Sequence, residues 1–274
     1  MMAKTDIRSP FDRLWSGKDP FAEVFALEGE EFRNVKNRRT FRIEVEGKGF
    51  FVKIHREVGW KEIFKNIFQF KLPVTGAGNE YRALEKLNAL GVPTMETAAY
   101  GERNFNPAAK ESFLITRELT DVISLEDLAV SGEINGSLKL RLIRALGSSA
   151  GIMHRSGINH RDCYICHYLL HRRLLPEVRL SVIDLHRAQI RRKVPFRYQV
   201  KDVAGLLFSA FDLPLSRRDV WRFIRAYSGH DLRQELSGNR RFYLAVYRCA
   251  CKLYRKEYGK IPAHDPFAGE LERK

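Results

Sequence analysis

The stretch 158-INHRDCYICHYLLHR-172 gathers residue types that could perform several kinds of chemistry. Its Cys-x-x-Cys-His run has the spacing by which c-type haem is attached, and its cysteines and histidines are zinc-ligand types. A Cys-x-x-Cys pair can also carry redox chemistry. The same stretch contains His-Arg-Asp, which opens the catalytic loop of kinases. These four interpretations make different demands on the rest of the chain.

The surrounding sequence disfavours haem, zinc and redox chemistry. Haem of the c type is attached after export, and the N-terminal MMAKTDIRSPFDRLWSGKDPF has scattered charges and no apolar signal-peptide segment. Zinc fingers place about twelve or more residues between their cysteine and histidine pairs, whereas here the pairs abut. No helix is predicted after Cys166 that would lower the pKa of a redox thiol. The cysteines are therefore expected to be packed thiols.

Phosphoryl transfer requires four groups in a fixed order along the chain, of which the HRD motif supplies one. One Asp orients the acceptor hydroxyl, a second Asp at a strand end holds Mg²⁺, and a strand lysine fixed by a helical glutamate grips the phosphates of ATP. Asp162 lies in HRD, Asp184 ends the predicted strand SVID, Lys53 lies in the predicted strand FFVKI, and Glu80 begins the predicted helix NEYRALEKL. Their order and the element under each favour a kinase.

The predicted elements divide the chain into two lobes. Apolar alternation in EEFRNV, TFRIEVE and FFVKIHR predicts three antiparallel strands, and FLITREL predicts another. Beyond residue 138 helical periodicity dominates, interrupted by the short strands YLLHR and RLSVID. We expect an α+β protein with a small antiparallel-sheet N-terminal lobe, residues 1–118, and a helical C-terminal lobe, residues 119–274.

The charge of the chain indicates the sign of its partners. It has 48 Lys and Arg against 33 Asp and Glu, a net charge of +15. Such a surface attracts nucleic acid, anionic membrane, phosphorylated ligands or an acidic protein. No zinc-finger, RRM or KH motif supports nucleic acid, which is not expected as a partner. The longest apolar runs are too short to span a bilayer, so a cytoplasmic protein is expected.

Four segments resemble the lipopolysaccharide core heptose(I) kinases of Gram-negative bacteria, which belong to the protein-kinase-like superfamily: HRDCYICHYLL, VIDLHRAQ, PFDRLWSGKDPF and FLITREL. The resemblance implies a bilobal kinase-like fold and transfer of the γ-phosphoryl of ATP, with Mg²⁺, to the first heptose of the inner core. It also implies a location at the cytoplasmic face of the inner membrane. Asp162 matches the catalytic-loop Asp, Asp184 the metal-binding Asp, and Lys53 with Glu80 the N-lobe ion pair. Glu85, on the same helix, is the alternative partner.

Two positions depart from the protein-kinase pattern. Where the catalytic loop of kinases has an Asn metal ligand, this chain has His167. An imidazole there could ligate the second metal, or hydrogen-bond to a phosphate or to Asp162, or be structural.

The second departure is that no Gly-x-Gly-x-x-Gly motif precedes Lys53. Phosphate contacts would instead come from the basic turn KNRRT, with backbone N–H groups aided by Arg38, Arg39 or Thr40. The alternative is that this turn is only solvated.

The adenine of ATP is expected to contact backbone groups of the segment from Thr116 to Leu119, which includes Glu118.

The segment between Asp184 and Asp202 is short and lacks the Ala-Pro-Glu of protein kinases. Its sequence LHRAQIRRKVPFRYQVK is basic and has no acidic residue, which suits an acceptor that carries carboxylates and phosphates, such as inner-core glycolipid. The alternative is a solvated basic loop. The expected acceptor-binding residues are Arg187, Arg191, Arg192 and Lys193. Asp202 resembles the kinase residue that supports the backbone of the catalytic loop.

The segment GWKEIFKNIFQFKL, residues 59–72, has an apolar stripe flanked by lysines. Such a helix could lie on the anionic inner membrane, or it could pack against the N-terminal lobe or a partner. An acidic protein partner is also compatible with the charge of the chain.

Overall fold

The structure is a computed structural model, and it describes residues 3–35, 37–57, 76–104, 106 and 108–263. The chain divides into two compact units. The first contains Met1–Asn88, Met95–Leu119 and Leu185–Arg187, and the second contains Ala89–Thr94, Thr120–Asp184 and Ala188–Lys274. Each unit is described separately below.

Within the described residues, the first unit is built on a six-stranded sheet. Its strands are β1 Lys4–Ile7, β2 Glu30–Val35, β3 Arg38–Val45, β4 Lys48–His55, β5 Thr97–Arg103 and β6 Glu111–Arg117. They lie in the order β1-β5-β6-β4-β3-β2, with every neighbouring pair antiparallel. Its helices are α1 Phe11–Leu14, α2 Pro20–Ala26 and α3 Gly78–Ala89.

Strand alternation gives this sheet two different faces. One face and helices α1 and α2 bury an aromatic core that includes Phe11, Phe21, Phe41, Phe50 and Phe113, each at most 1% exposed. The other face carries Lys53, because side chains alternate along β4. One face of the sheet is thus a packed core, and the other is available to polar groups.

The second unit, within the described residues, is mostly helical, with a few short strands. The helices are α4 Leu125–Val130, α5 Gly136–Arg155, α6 Phe196–Phe208, α7 Arg217–Ser228, α8 Leu232–Gly238 and α9 Arg240–Tyr258. The short strands are β7 Val122–Ser124, β8 Ile158–Asn159, β9 Tyr168–His171, β10 Leu180–Val182 and β11 Gln189–Ile190. They form the three-stranded sheet β10-β9-β7 and the pair β11-β8.

Local sequence signals explain where the long helix α5 begins and ends. Asn135 caps its start by accepting a hydrogen bond from the N–H of Leu138 at 2.8 Å. Gly157 follows its end with φ of +79°. A Cβ at Gly157 would lie 1.9 Å from the carbonyl oxygen of Arg191, so only glycine fits there. The chain therefore turns directly from α5 into β8 and the His-Arg-Asp sequence.

The expected α+β class, with an antiparallel-sheet N-terminal part and a helical C-terminal part, is confirmed. Strands β2, β3, β4 and β6 lie where alternation predicted them. The sequence analysis missed β1, α1, α2 and β5. The predicted helix at 59–72 lies outside the described residues. Among the helices that the structure describes, none has the length and apolar character needed to cross a membrane.

Candidate active site

A buried ion pair lies on the polar face of the N-terminal sheet. Lys53 Nζ on β4 donates to Glu80 Oε1 on α3 at 2.5 Å, and the two side chains are 14% and 1% exposed. Glu85, one and a half turns further along α3, instead accepts from Arg8 at 2.7 Å. The alternative glutamate is therefore occupied by another cation, and Lys53 is held by Glu80.

Cationic groups surround Lys53. His55, two residues along β4, has its pKa lowered to about 3 by burial and by the charges of Arg38, Lys53 and His186. Burial is the larger cause of this lowered pKa, and the three basic side chains add to it, so a cluster of basic groups lies on this face of the sheet. Such a cluster favours an anion with several charges, as phosphates carry. Sequence reasoning did not single out His55 or His186.

The two arginines predicted near the phosphates lie in different surroundings. Arg38 and Thr40 alternate along β3, and Thr40 pairs with Lys53 across the strands. Arg39 lies between them in sequence and so on the opposite face, where its guanidinium packs 4.3 Å from the ring centroid of Phe41 and its Nε donates to Glu31 at 2.7 Å. Only the face with Arg38 and Thr40 is shared with Lys53.

The segment predicted to meet adenine ends strand β6. Thr116 is 1% exposed. Glu118 accepts from Arg42 through both carboxylate oxygens at 2.8–3.0 Å, and its N–H donates to the carbonyl of Gly49 at 2.9 Å. The Glu118 side chain is thus engaged within the N-terminal unit, which leaves backbone contacts as the means by which this segment could bind a base.

In the second unit a buried aspartate holds the backbone of the His-Arg-Asp sequence. Asp202 on α6 is 1% exposed and accepts from the N–H groups of His160 at 2.6 Å and Arg161 at 2.9 Å. Arg161 has φ of +76°, a left-handed conformation that non-glycine residues seldom adopt. The two hydrogen bonds fix that conformation immediately before Asp162.

A histidine and a tyrosine complete this buried network. His154 Nε2 lies 3.2 Å from Asp202 Oδ2, and His154 Nδ1 lies 2.7 Å from the hydroxyl of Tyr227. His154 and Tyr227 are 3% and 8% exposed. Since the carboxylate accepts from Nε2–H, Nδ1 carries the lone pair and accepts from the Tyr227 hydroxyl. Sequence reasoning missed both residues, although their positions at the ends of α5 and α7 are visible in the helical pattern.

His167 lies between Asp162 and Asp184, which belong to two different loops. Its Nδ1 lies 2.7 Å from the main-chain oxygen of Asp162, and its Nε2 lies 3.6 Å from Asp184 Oδ2. Asp184 follows β10 with φ of +58°, which turns the chain away from the strand and presents the carboxylate, 37% exposed, beside the imidazole. One imidazole therefore contacts the loop that carries Asp162 and the carboxylate of Asp184.

The imidazole of His167 is itself fixed and polarised. His160 stacks against it with ring centroids 5.6 Å apart, and His160 Nε2 donates to the carbonyl of Ile183 at 2.9 Å. Burial lowers the pKa of His160, so this ring is neutral. The pKa of His167 is raised to about 9, first by a hydrogen bond with Cys166 and then by the Asp162 carbonyl and the Asp184 charge, against the opposing effect of burial.

The donor set suits Mg²⁺ bound together with phosphates better than a metal held by protein alone. No cluster of three or more histidine, cysteine or acidic side chains able to hold a metal occurs within the described ranges. Asp184 offers the oxygen ligand that Mg²⁺ prefers, and Mg²⁺ in nucleotide sites takes few protein ligands because phosphates and water supply the rest. Asp184 fits this ion, with the His167 nitrogen a less favoured ligand.

The predicted acceptor residues have different environments. Arg191 donates to Asn159 at 2.6 Å and lies 4.9 Å over the Tyr198 ring, so its guanidinium supports the loop. Arg192 and Lys193 are exposed. Arg187 lies in the short turn Leu185–Arg187, which belongs to the first unit. Of the three that lie in the second unit, Arg191 is engaged within the protein, whereas Arg192 and Lys193 are open to solvent.

The cysteines do not form a metal or redox site among the described residues. All four are free thiols. Cys163 is 2% exposed, and burial raises its pKa well above the usual range. Its main chain approaches α6 so closely that a Cβ at Gly205 would lie 2.5 Å from the Cys163 carbonyl oxygen. This close contact, another feature that the sequence analysis missed, packs the catalytic loop on the helix that carries Asp202.

Comparisons with known proteins agree with this geometry. The model of the lipopolysaccharide kinase (Kdo/WaaP) family matches residues 22–227. Lipopolysaccharide core heptose(I) kinase WaaP of Pseudomonas aeruginosa is 46% identical over 263 residues, covering 93% of this chain and 98% of the relative. The Escherichia coli K12 protein of the same name is 46% identical over 241 residues, covering 85% and 90%.

A solved structure described as WaaP in complex with acyl carrier protein has a TM-score of 0.80 and 42% identity, and it covers 92% of this chain and 99% of that chain. These comparisons support the kinase-like fold and an enzyme that transfers phosphate from ATP to a sugar hydroxyl. They do not favour the two alternatives to this function, which are a kinase-like enzyme that acts on protein or on another small molecule and a non-catalytic kinase-like adaptor. Because the family model and the relatives span most of its length, the chain belongs to the lipopolysaccharide kinase (Kdo/WaaP) family.

Proposed function

We propose that this protein transfers the γ-phosphoryl of ATP to the first heptose of the lipopolysaccharide inner core. The heptose acceptor is the one named for the relatives at 46% identity. The observation that carries the proposal is the link made by His167, which contacts the main chain of Asp162 at 2.7 Å and approaches the Asp184 carboxylate at 3.6 Å. A catalytic aspartate and a metal-binding aspartate require such mutual positioning.

Asp162 is the proposed catalytic residue. Its carboxylate orients the acceptor hydroxyl and takes its proton as the oxygen attacks the γ-phosphorus. The bond between the γ-phosphorus and the β–γ bridging oxygen breaks in the same step, and ADP leaves. The backbone before it is fixed by Asp202, which accepts from the N–H groups of His160 and Arg161. Catalysis of this kind depends mainly on positioning and charge stabilisation, so a rigid loop contributes directly to rate.

Asp184 is the proposed Mg²⁺ ligand, with His167 as a second contact to that metal or to a phosphate. When bound, Mg²⁺ neutralises the charge of the β- and γ-phosphates. Whether or not the imidazole contacts metal, its Nδ1 is engaged by the Asp162 carbonyl at 2.7 Å, which leaves Nε2 as the nitrogen facing Asp184.

Lys53, held by Glu80, is proposed to contact the α- and β-phosphates of ATP. The basic side chains of Arg38 and His186, which lie close enough to Lys53 and His55 to act with burial in lowering the pKa of His55, support an anion-binding role for this part of the sheet. Arg38 and Thr40 share its face and are the better candidates for phosphate contacts, since Arg39 is engaged with Glu31 on the opposite face. Backbone groups from Thr116 to Leu119 would contact adenine.

The exposed Arg192 and Lys193 are proposed to contact anionic groups of the acceptor, together with Arg187. Arg191 would contribute mainly by holding the segment through Asn159. The acceptor is a glycolipid, and we propose that the enzyme meets it at the cytoplasmic face of the inner membrane. The net charge of +15 supports attraction to an anionic surface.

The proposal is tested by transfer of labelled phosphate from ATP to core glycolipid from cells that lack the gene for this protein. We expect incorporation that depends on Mg²⁺ and a mass increase of one phosphate on the first heptose. A labelled product with the phosphate on another sugar would overturn the heptose assignment, and the absence of label in any acceptor would overturn the kinase proposal.

A specific cavity favours an acidic carrier protein as an additional partner. The second unit contains a cavity of about 140 Å³, lined almost entirely by aliphatic and aromatic side chains, among them Leu142, Leu206, Ala210 and Val220. The solved relative is described as a complex with acyl carrier protein. We propose that this chain also binds such a carrier and that the cavity receives its acyl chain, because apolar chains gain from transfer out of water.

Acylated and unacylated carrier protein distinguish this proposal from charge attraction alone. We expect the acylated form to raise the melting temperature of the protein more than the unacylated form does. Ala210→Phe, which fills part of the cavity, should remove that difference while weak binding of both forms persists. Equal effects of the two carrier forms on the unsubstituted protein would exclude the cavity from the interaction.

A further inference from the structure

A groove lined by arginines lies on the second unit, at the start of helix α9. It measures about 630 Å³ and is bounded by Phe196, Arg240, Arg241, Leu244, Ala245 and Arg248. Arg241 and Arg248 are exposed, and they lie two helical turns apart, so they occupy one face of the helix. The lining contains cationic and apolar side chains and no acidic one. The groove is therefore suited to an anionic ligand of substantial size.

Phe196 forms a ridge between this groove and a second, polar pocket. Its ring is 49% exposed and is held edge to face by Phe242, with centroids 5.8 Å apart. The second pocket, of about 260 Å³, is also lined by Phe196 and has amide groups from Gln199 and Asn239. An aromatic surface beside amide and guanidinium groups suits a sugar, because aromatic rings pack on C–H faces while polar groups bind hydroxyls.

The chain leading to this ridge is basic as well. Arg192 and Lys193, in the segment proposed to contact the acceptor, are exposed and lie only a few residues before Phe196. Arg197 and Lys201, on α6, are also exposed. Arginine forks bind carboxylates and phosphates bidentately, which distinguishes such a site from a diffuse basic surface. The groove thus continues a basic strip that begins in the acceptor segment.

We propose that the groove formed by Arg241, Arg248 and Phe196 binds a carboxylate- or phosphate-bearing sugar of the acceptor glycolipid, away from the hydroxyl that receives phosphate. This inference rests on the proposed function and adds a second contact that selects acceptors by their charge. A concave groove with two fork-shaped cations favours a discrete anionic group over the flat surface of a bilayer. The groove makes its contribution in acceptor binding and not in the chemical step.

The test compares R241Q/R248Q with K252Q/K256Q. Lys252 and Lys256 are exposed on the same helix and lie outside the groove lining, so the control removes the same charge. With deacylated core oligosaccharide that retains its acidic groups as acceptor, we expect R241Q/R248Q to raise KM about ten-fold or more. The kcat and the KM for ATP should stay unchanged, and the control should change KM less than about two-fold.

Three results would overturn the inference. The first is an unchanged acceptor KM in R241Q/R248Q, and the second is an equal rise in the lysine control, which would show a bulk charge effect. The third is unchanged KM for the deacylated acceptor with reduced binding to vesicles of phosphatidylglycerol, which would assign the groove to the bilayer. Failure of the unsubstituted enzyme to phosphorylate any core acceptor would instead overturn the proposed function.

Discussion

The candidate site residues of the two units are held in place in different ways. In the N-terminal unit Lys53 and Glu80 sit on a regular strand and a regular helix and meet at 2.5 Å. In the C-terminal unit Asp162 lies in an irregular loop whose shape depends on Asp202, which in turn contacts His154. The ion pair of the N-terminal unit needs only two elements to pack. The loop of the C-terminal unit needs several distant segments to converge on a buried carboxylate.

This difference predicts where the site tolerates change. A pair on regular elements loses its function when one charge is removed, because each partner is positioned by the other. A convergent network spreads its support over several hydrogen bonds, so removal of a peripheral member should cost less than removal of the central carboxylate. Substitutions at the loop residue that the network positions, at the ion pair and at the edge of the network therefore compare the two modes of support.

Asp162→Asn should have the largest effect. The amide cannot accept the hydroxyl proton, and we expect kcat for phosphate transfer to core glycolipid to fall by about 1,000-fold. Labelled phosphate measures the rate, and the thermal shift with ATP and Mg²⁺ measures binding. The shift should remain, since the substitution keeps the size of the side chain. Transfer at the unsubstituted rate would remove Asp162 from catalysis.

Glu80→Gln should have the next effect. Lys53 loses its charged partner and its position, and we expect kcat/KM for ATP to fall by about 10- to 100-fold. Glu85→Gln is the matched control on the same helix, since Glu85 pairs with Arg8 at 2.7 Å. A steady-state titration with ATP measures both. Equal losses in the two variants would mean that charge on α3, and not the pair with Lys53, determines the effect.

Sequence reasoning succeeded where a residue acts through its own regular element. Alternation in FFVKIHR placed Lys53 on a strand, and the pattern NEYRALEKL placed Glu80 at a helix start, which is where the structure has them. Conversely, β5 was missed because its sequence, TAAYGER, has small residues and a glycine and shows little alternation. Partners such as Arg8 for Glu85 are not visible because they depend on which strands become neighbours.

The support of the catalytic loop could be predicted only in part. Asp202 was anticipated through resemblance, but His154 and Tyr227 lie on separate helices, and no local pattern says that their side chains point at one carboxylate. Arg39 was misplaced for a different reason, because KNRRT was interpreted as a turn whereas β3 begins at Arg38, so that alternation places Arg39 on the face opposite Arg38. Periodicity predicts which residues share an element, whereas tertiary packing decides which elements share a site.

Tyr227→Phe should have a smaller effect on activity, at the edge of the network. The phenol donates to His154 Nδ1 at 2.7 Å and so favours the tautomer that donates to Asp202. Without it we expect kcat to fall by about three- to ten-fold with the KM for ATP unchanged. The matched control is Tyr198→Phe, which removes a hydroxyl bonded to Arg197 at 2.9 Å on the surface. A change in KM with no change in kcat would contradict a positioning role.

The last prediction concerns stability alone. It is made at Asp219, which takes part both in a local helix cap and in a contact with another helix. Ser216 and Asp219 form a capping box at the start of α7, a motif readable from the sequence, but Lys139 on α5 adds an ion pair at 2.8 Å that is not. Although burial acts to raise the pKa of Asp219, hydrogen bonds from Lys139 and Ser216 outweigh it and lower the value from 3.8 to about 2.

A depressed pKa means that the stabilising contribution of Asp219 is present above pH 4 and is lost as the pH falls toward 2, because protonation then favours the unfolded chain. We expect Asp219→Asn to lower the free energy of unfolding by about 2 kcal/mol at pH 7, measured by urea denaturation, and phosphate transfer to remain unchanged. The difference between the two proteins should shrink below pH 4. A difference that is constant down to pH 3 would mean that the cap stabilises α7 through hydrogen-bond geometry rather than through the charge, and that the ion pair with Lys139 contributes little.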